Sequence, residues 1–293
     1  MNYYSTTTIL IIIYCFWLFI HYSRPYILCY SFSVEDMANI KLLFTCPHGG
    51  KNDDGTTTNP PIIKRDKTHF PDNICPAADG QGFSDENDSL TRELTEAIVK
   101  NITKLSGKDP YAVYAEFNRR WIDYNRNERC AFEQSSPTAK EKYLIYHNEI
   151  LQRIEEMLPQ CDNSMAFLFD IHGTGLEKSP EPESNFIELL VGTDQTNSRK
   201  ALTDADFWGP NGLIPLLRTK KIRAYPENLN QEMENFPLDG GYTIREYGSK
   251  RIKSGLVAIQ IEVINCIRDN RYCREKFAED MADCIFSFVS PFV

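Results

Sequence analysis

The sequence of 293 residues has no surplus of basic charge, no CxxC pair and no internal repeat. Its net charge of −9 argues against a nucleic-acid-binding protein, which needs a basic surface to replace the counterions of the phosphate backbone. Because no CxxC pair occurs, a structural zinc ribbon has no support. Hydrophobic residues make up 42% of the chain, an ordinary share for a globular protein that excludes wholesale disorder.

An apolar run near the amino terminus is too short to predict a membrane-spanning helix. Residues 9–20 are apolar without interruption, whereas a membrane span needs about 20 such residues. A run of this length is typical of a signal peptide, and Ser31 and Ser33 occupy the small-residue positions of a cleavage site. We therefore expect residues 1–33 to be a signal peptide or an uncleaved signal anchor. Residues 34–293 would then form a secreted or lumenal domain, with a membrane as partner only through the anchor.

Seven cysteines remain in residues 34–293. Their odd number leaves at least one thiol without a disulfide partner in the same chain. An oxidising compartment permits up to three bridges, but the spacing of the cysteines leaves their pairing open.

Strand-length apolar runs alternate with amphipathic segments along this domain. The runs that predict strands are residues 40–46, 112–117, 165–171, 186–191 and 256–264. Three segments predict helices. One begins at about residue 88, and the other two span residues 138–158 and 271–288. Residues 51–80 are rich in Gly, Pro, Asn, Asp and Thr, which predicts a long irregular loop. The pattern predicts a single α/β domain with a mixed, mostly parallel twisted sheet and helices on both faces.

Side chains suited to a metal site stand at the ends of three predicted strands. His48 and His172 each follow a strand and precede a glycine, and Glu262 lies in or near the end of a third strand. In open α/β sheets, ligands bind outside the carboxyl ends of the strands. Zinc hydrolases hold the metal with three protein ligands and leave one position for water. The alternatives are histidines that only pack in the core and a glutamate on the exposed face of an edge strand.

Six short motifs occur in a specific order between residues 40 and 265. They are residues 46–50 (CPHGG), 120–126 (RWIDYNR), 170–173 (DIHG), 240–242 (GGY), 247–248 (YG) and 259–262 (IQIE). Together they resemble the N-formylglutamate amidohydrolase family, a distant relative of the zinc carboxypeptidases. The resemblance implies a phosphorylase/hydrolase-like, zinc-carboxypeptidase-like fold. It also implies a water molecule activated by Zn²⁺, a glutamate base and an arginine that receives the substrate's carboxylate.

The resemblance assigns two of the three metal ligands directly, since His48 and His172 match the two metal-binding histidines. Zinc carboxypeptidases place a glutamate three residues after the first histidine, where this chain has Lys51, which cannot bind a metal while protonated. The formylglutamate family uses an acidic residue near the start of the next helix, and Asp88 fits that pattern. The alternative is that Asp88 only caps the helix. Asp170 would orient a ligand or form a structural ion pair.

The same resemblance assigns the catalytic and substrate-binding residues. Glu262 matches the glutamate that takes a proton from water and passes it to the leaving nitrogen. Asn125 and Arg126 match the pair that binds the substrate carboxylate, a task that suits the planar arginine fork. Arg120 matches in spacing the group that polarises the scissile carbonyl, with Arg119 as a neighbouring candidate. A structural ion pair is the alternative for each of these arginines.

The resemblance implies zinc-dependent hydrolysis of an amide bond in a small N-acylated, specifically N-formylated, amino acid. The first alternative is a zinc carboxypeptidase-like peptidase that acts on short peptides. The second is an exported, non-catalytic binding protein with a decayed metal site. N-formylglutamate belongs to intracellular histidine breakdown, so an exported relative would act on a different acyl amino acid or peptide. No nucleic-acid partner is expected.

Overall fold

The computed structural model describes residues 40–76, 82–158, 165–175, 187–234, 238–249 and 255–293. They belong to one compact unit, residues 38–293. The predicted leader, residues 1–33, lies outside the described residues. Within the described part of the chain, no helix combines the length and apolar character needed to cross a membrane.

A six-stranded sheet lies at the centre of the fold. Its strands are β1 (Leu42–Cys46), β2 (Tyr111–Tyr114), β3 (Ala166–Thr174), β4 (Leu189–Gly192), β5 (Ala224–Tyr225) and β6 (Leu256–Ile264). They lie in the order β2-β1-β3-β6-β4-β5, in which β2, β1, β3 and β6 are parallel. Strand β4 is antiparallel to β6 and parallel to β5. The predicted mixed, mostly parallel sheet is therefore confirmed, and only the two-residue strand β5 was not predicted.

Nine α-helices lie among the described residues. They are α1 (Thr91–Ser106), α2 (Glu128–Ala131), α3 (Pro137–Met157), α4 (Asp204–Trp208), α5 (Leu213–Thr219), α6 (Leu229–Met233), α7 (Tyr242–Tyr247), α8 (Asn265–Asp269) and α9 (Arg271–Val289). Helix α3 begins at Pro137, whose fixed φ suits the first helical position. Helix α1 ends at Ser106 and is followed by Gly107, whose φ of 70° glycine adopts without strain. The three long helices are those that the apolar periodicity predicts.

Helices cover both faces of the sheet because the strand side chains alternate between the two faces. On one face, Phe167, Phe169 and Ile171 of β3 pack with residues of α1, α5 and α9. On the other face, Ala166 and Leu168 pack with residues of α3 and α7. Burial of a large apolar side chain contributes about 1.5–3 kcal/mol, so the two layers hold the sheet between them.

The α3 face of the sheet changes from apolar to polar toward the carboxyl ends of the parallel strands. The strand register gives three successive rows, which are Leu43–Leu168–Ala258, then Thr45–Asp170–Gln260, then His172–Glu262. The first row belongs to the core, whereas the side chains of the other two rows are polar and buried. The candidate site is therefore built on this end of the sheet.

Candidate metal centre and active site

Three side chains from distant parts of the chain meet at the carboxyl ends of the strands. The Nδ1 atoms of His48 and His172 lie 3.1 Å apart, and each lies 3.3 Å from Oδ2 of Asp88. Nitrogen and oxygen ligands of a tetrahedral zinc ion lie about 2.0–2.1 Å from it and hence about 3.3 Å from one another. The triangle of His48, Asp88 and His172, here called the metal centre, has the size and the donor atoms of a zinc site.

The Nε2 atom of each histidine, which faces away from the metal centre, forms a hydrogen bond with a carboxylate. Nε2 of His48 lies 2.7 Å from Oδ1 of Asp123, and Nε2 of His172 lies 2.8 Å from Oδ2 of Asp170. Because a carboxylate accepts, each Nε2 carries a hydrogen and each Nδ1 turns a lone pair toward the metal centre. Lone pairs that face one another at this distance repel unless a cation lies between them. Carboxylate-bound histidines of this kind are typical of metal ligands.

The charges around His172 also favour a cation at the metal centre. Burial opposes a positive charge on His172, but Asp170, Asp88 and Glu262 outweigh burial and raise the pKa of this histidine well above its ordinary value. Burial likewise opposes the charged form of Asp88, but the two histidines outweigh it and lower the pKa of Asp88. A proton or a metal ion would satisfy this arrangement, and the donor set suits Zn²⁺.

The side chain of Asp88 does not cap a helix. The residue at the N-cap position of α1 is Leu90, which makes no side-chain cap. Oδ2 of Asp88 instead accepts a hydrogen bond from the backbone N–H of Gly173 at 3.0 Å and faces the two histidines. The capping alternative is therefore wrong. His172 also lies inside β3 rather than after it, because the strand continues to Thr174.

Asp123, which the sequence analysis did not assign to the site, is fully buried behind His48. Its Oδ2 accepts a hydrogen bond from Nε of Arg119 at 2.8 Å, and nitrogen atoms of Arg65 and Arg126 lie 3.7 Å from the same oxygen. Burial raises its pKa, but the arginines outweigh burial and hold the pKa well below its ordinary value. The sequence feature that could have identified Asp123 is its position within the RWIDYNR motif.

Glu262 lies in the interior strand β6 and is only 4% exposed, so the edge-strand alternative is wrong. Nε2 of Gln260 donates to Oε1 of Glu262 at 2.9 Å, and Oε1 of Gln260 accepts from the backbone N–H of Gly241 at 2.6 Å. Burial raises the pKa of Glu262 to about 7. A carboxyl group with this pKa can both accept and release a proton near neutral pH.

A cavity of about 610 Å³ opens over the metal centre. Its lining includes the three candidate ligands and Glu262. The described arginines that line it are Arg119, Arg126, Arg245 and Arg268. Its volume lies in the usual range of small-molecule sites. The lining also includes the carboxylates of Glu86, Asp88, Asp239 and Glu262, so the cavity is rich in charges of both signs.

Asn125 and Arg126, the predicted substrate-binding pair, both line this cavity. Oδ1 of Asn125 accepts from the backbone N–H of Thr243 at 2.8 Å, which fixes the orientation of its amide. Nε and Nη2 of Arg126 donate to the backbone oxygen of Gly82 at 3.2 and 3.1 Å. The structure therefore brings the pair to the cavity and holds both side chains in place.

Arg120, the predicted carbonyl-polarising residue, is exposed and does not line the cavity. Its Nε donates to Oδ1 of Asn118 at 3.4 Å. Arg119 lines the cavity instead, because Asp123 holds its Nε at the site. The two arginines are adjacent in the sequence, and the spacing of the family motif favours Arg120. The conformation of the turn places Arg119 rather than Arg120 at the cavity. Lys51 is exposed, beside Glu93 and Glu96, as its mismatch with the ligand pattern implies.

No protein-family model and no curated protein sequence matches this chain. Among the solved structures that are similar to it, two are covered along most of their length. The N-formylglutamate amidohydrolase from Ralstonia eutropha has a TM-score of 0.54 at 13% identity, with 88% of this chain and 95% of that chain covered. The chain has the fold of an N-formylglutamate amidohydrolase. The family resemblance found in the motifs is thus confirmed at the level of the fold.

The second structure is the gene product Atu2144 from Agrobacterium tumefaciens. It has a TM-score of 0.51 at 14% identity, with 87% of this chain and 92% of that chain covered. At such identities the two likenesses establish the fold alone. What the N-formylglutamate amidohydrolase fold does in this chain has to be argued from its own side chains.

Proposed function

We propose that this protein is a zinc-dependent hydrolase that cleaves the amide bond of a small N-acylated amino acid, such as an N-formyl amino acid. The observation that carries the proposal is the triangle of His48 Nδ1, His172 Nδ1 and Asp88 Oδ2 within a cavity that also holds the buried Glu262. A zinc ion held by these three ligands would activate a water molecule and polarise the scissile carbonyl.

Glu262 supplies the proton transfers in this mechanism. It takes a proton from the attacking water and then gives it to the nitrogen that leaves, which breaks the amide bond. In the metal-free protein, burial raises the pKa of Glu262 to about 7, and a bound zinc ion would lower it. Gln260 keeps the carboxylate in one orientation through its hydrogen bond to Oε1.

The arginines position the substrate. Arg126, with Asn125, receives the carboxylate of the amino acid, as the resemblance implies. Arg119 takes the role that the spacing assigns to Arg120, because it is the member of the pair that lines the cavity. Asp123 binds Nε of Arg119, so the terminal nitrogens remain available to donate to the carbonyl oxygen as charge develops on it.

A short peptide is the second candidate substrate. The cavity volume of about 610 Å³ is in the range of sites for drug-sized ligands and is larger than one amino acid requires. The disulfide between Cys75 and Cys130 supports a secreted or lumenal location, since disulfides persist in oxidising compartments. Such a location favours a substrate other than N-formylglutamate itself.

The first experiment compares the zinc content of the purified wild type with that of His172→Ala by elemental analysis. We expect about one zinc per chain in the wild type, as in a single catalytic site, and its loss in the variant. Wild type and Glu262→Gln are then assayed on N-formyl amino acids, other N-acyl amino acids and short peptides. A folded wild type that binds no zinc when zinc is supplied refutes the proposal. Zinc binding without hydrolysis of any of these substrates supports the non-catalytic binding protein.

A further inference from the structure

The long loop that the sequence predicts between residues 51 and 80 carries a buried arginine, Arg65, which is only 3% exposed. Its Nη1 donates to the backbone oxygens of Ser84 at 2.7 Å and Arg119 at 3.1 Å. Its Nη2 donates to the backbone oxygen of Cys130 at 3.2 Å. Burial of an unpaired charge is costly, so this part of the loop is held against the rest of the domain by the hydrogen bonds of Arg65.

The Arg65 guanidinium is enclosed by aromatic rings and a carboxylate. Its central carbon lies 5.1 Å from the ring centre of Phe70 and 4.8 Å from that of Phe83. Its Nη1 lies 3.7 Å from Oδ2 of Asp123. Burial lowers the pKa of Arg65 to about 10, so the side chain still carries its charge at neutral pH.

Asp123 lies between Arg65 and the candidate ligand His48. Arg65 does not line the cavity, unlike Arg119 and Arg126, the other two arginines beside this carboxylate. The other oxygen of Asp123 accepts from Nε2 of His48 at 2.7 Å. A charged, immobile Asp123 keeps the hydrogen of His48 on Nε2 and leaves Nδ1 free for a metal.

We propose that Arg65 is a positioning residue of the metal centre, which acts through Asp123 on the ligand His48, and that the Cys75–Cys130 disulfide holds it in place. The disulfide joins the loop to α2, directly at the residue whose carbonyl oxygen accepts from Arg65. It also packs beside Phe70 and Phe83, the two rings that enclose the guanidinium. The proposal rests on the metal centre of the proposed function but on neither its substrate nor its reaction.

The test measures metal affinity rather than activity. Arg65→Lys keeps the charge but loses the fork that reaches three carbonyl oxygens. The matched control is Arg199→Lys, because Arg199 is similarly buried but pairs with Glu232, and neither of these residues lines the cavity. The second variant is Cys75→Ser/Cys130→Ser, which removes the disulfide. Zinc affinity is measured by competition with a chromophoric chelator, and the visible spectrum of the Co²⁺-loaded protein reports ligand geometry.

Loss of a group that orients a metal ligand weakens metal binding by about 10–100-fold, so we expect about a tenfold loss for Arg65→Lys. The double cysteine variant should lose affinity in the same direction, and the combined variant should lose less than the product of the two, since both act through Asp123. Arg199→Lys should lower thermal stability and leave zinc affinity and the Co²⁺ spectrum unchanged.

A folded Arg65→Lys with wild-type zinc affinity and an unchanged Co²⁺ spectrum overturns the positioning role. An equal loss in Arg199→Lys also overturns it, because the effect would then reflect general destabilisation. If Arg65→Lys does not fold, the double cysteine variant decides, and wild-type affinity in that variant counts against the proposal. Failure of the wild type to bind either metal refutes the metal centre itself, and the proposed function fails with it.

Discussion

Replacement of Glu262 by glutamine should stabilise the metal-free protein while it removes activity. The side chain is buried in an interior strand, and burial raises its pKa from an ordinary value of 4.5 to about 7. Because the folded pKa lies above the unfolded one, the folded state binds the proton more tightly. The contribution of this group to stability is therefore complete below about pH 4.5 and is lost as the pH rises through about 7.

The size of the effect follows from this difference in pKa. At about 1.4 kcal/mol for each pKa unit, the buried charge costs about 3 kcal/mol above pH 7. Glu262→Gln removes that charge and keeps the size of the side chain and an oxygen that can accept from Gln260. The variant should exceed the wild type in free energy of unfolding by about 3 kcal/mol at pH 8 and match it below about pH 4.5. Its activity should fall by about 10²–10⁴-fold.

The assay is urea denaturation of both proteins at pH 4.5 and pH 8, with a chelator present. Glu232→Gln is the matched control, because Glu232 is also a buried glutamate but both its oxygens lie 2.6 Å from nitrogens of Arg199. The same chemical change there leaves Arg199 with a weakened partner and should cost about 3–5 kcal/mol. A Glu262→Gln protein that is less stable than the wild type at pH 8 refutes the reasoning. A gain in stability that is the same at both pH values refutes it as well.

Three further predictions test the remaining parts of the site. Arg119→Ala should lower kcat/KM by about 10²–10³-fold, while Arg120→Ala should change it less than about twofold, and the reverse order would contradict the proposed roles. Gly241→Ala would place a methyl group 2.1 Å from Nδ2 of Asn125 and should reduce activity, whereas Gly107→Ala meets no neighbouring atom and should reduce stability alone. Removal of metal by a chelator should lower Tm by about 5–10 °C in differential scanning calorimetry, and an unchanged Tm would count against the metal centre.

The sequence predicted the elements of the fold wherever a local pattern was long enough. The apolar run of residues 256–264 coincides with β6, and residues 138–158 differ from α3 by one position at each end. The direction of β4 was not predictable, because an isolated apolar run does not reveal which way its strand lies in a sheet. The two residues of β5 form no pattern at all. The direction of β4 and the presence of β5 both depend on contacts between parts of the chain that are distant in sequence.

The same limit explains which residues of the site were found. His48, His172 and Glu262 were identified because chemically distinctive residues stood at or near the ends of apolar runs in the sequence. Asp123 and Gln260 were missed, since their roles lie in hydrogen bonds to His48 and Glu262 that no sequence pattern records. The prediction of Arg120 rather than Arg119 was wrong by one position, because the orientation of a single turn decides which of the two side chains lines the cavity.

The row structure of the sheet explains how this site can exist in a chain that matches no family model. Each strand offers one residue in two to a given face, so the part of the site that lies on strands fixes only a few positions at their carboxyl ends. The remaining positions of β3 and β6 need only be apolar and of suitable size, and such residues exchange readily. The similarity to the Ralstonia amidohydrolase at 13% identity is then compatible with one shared sheet. The polar side chains of the candidate site lie in the last two rows and in the carboxylates behind the histidines. Variants of those side chains, rather than any overall similarity, therefore decide whether the chain hydrolyses an amide.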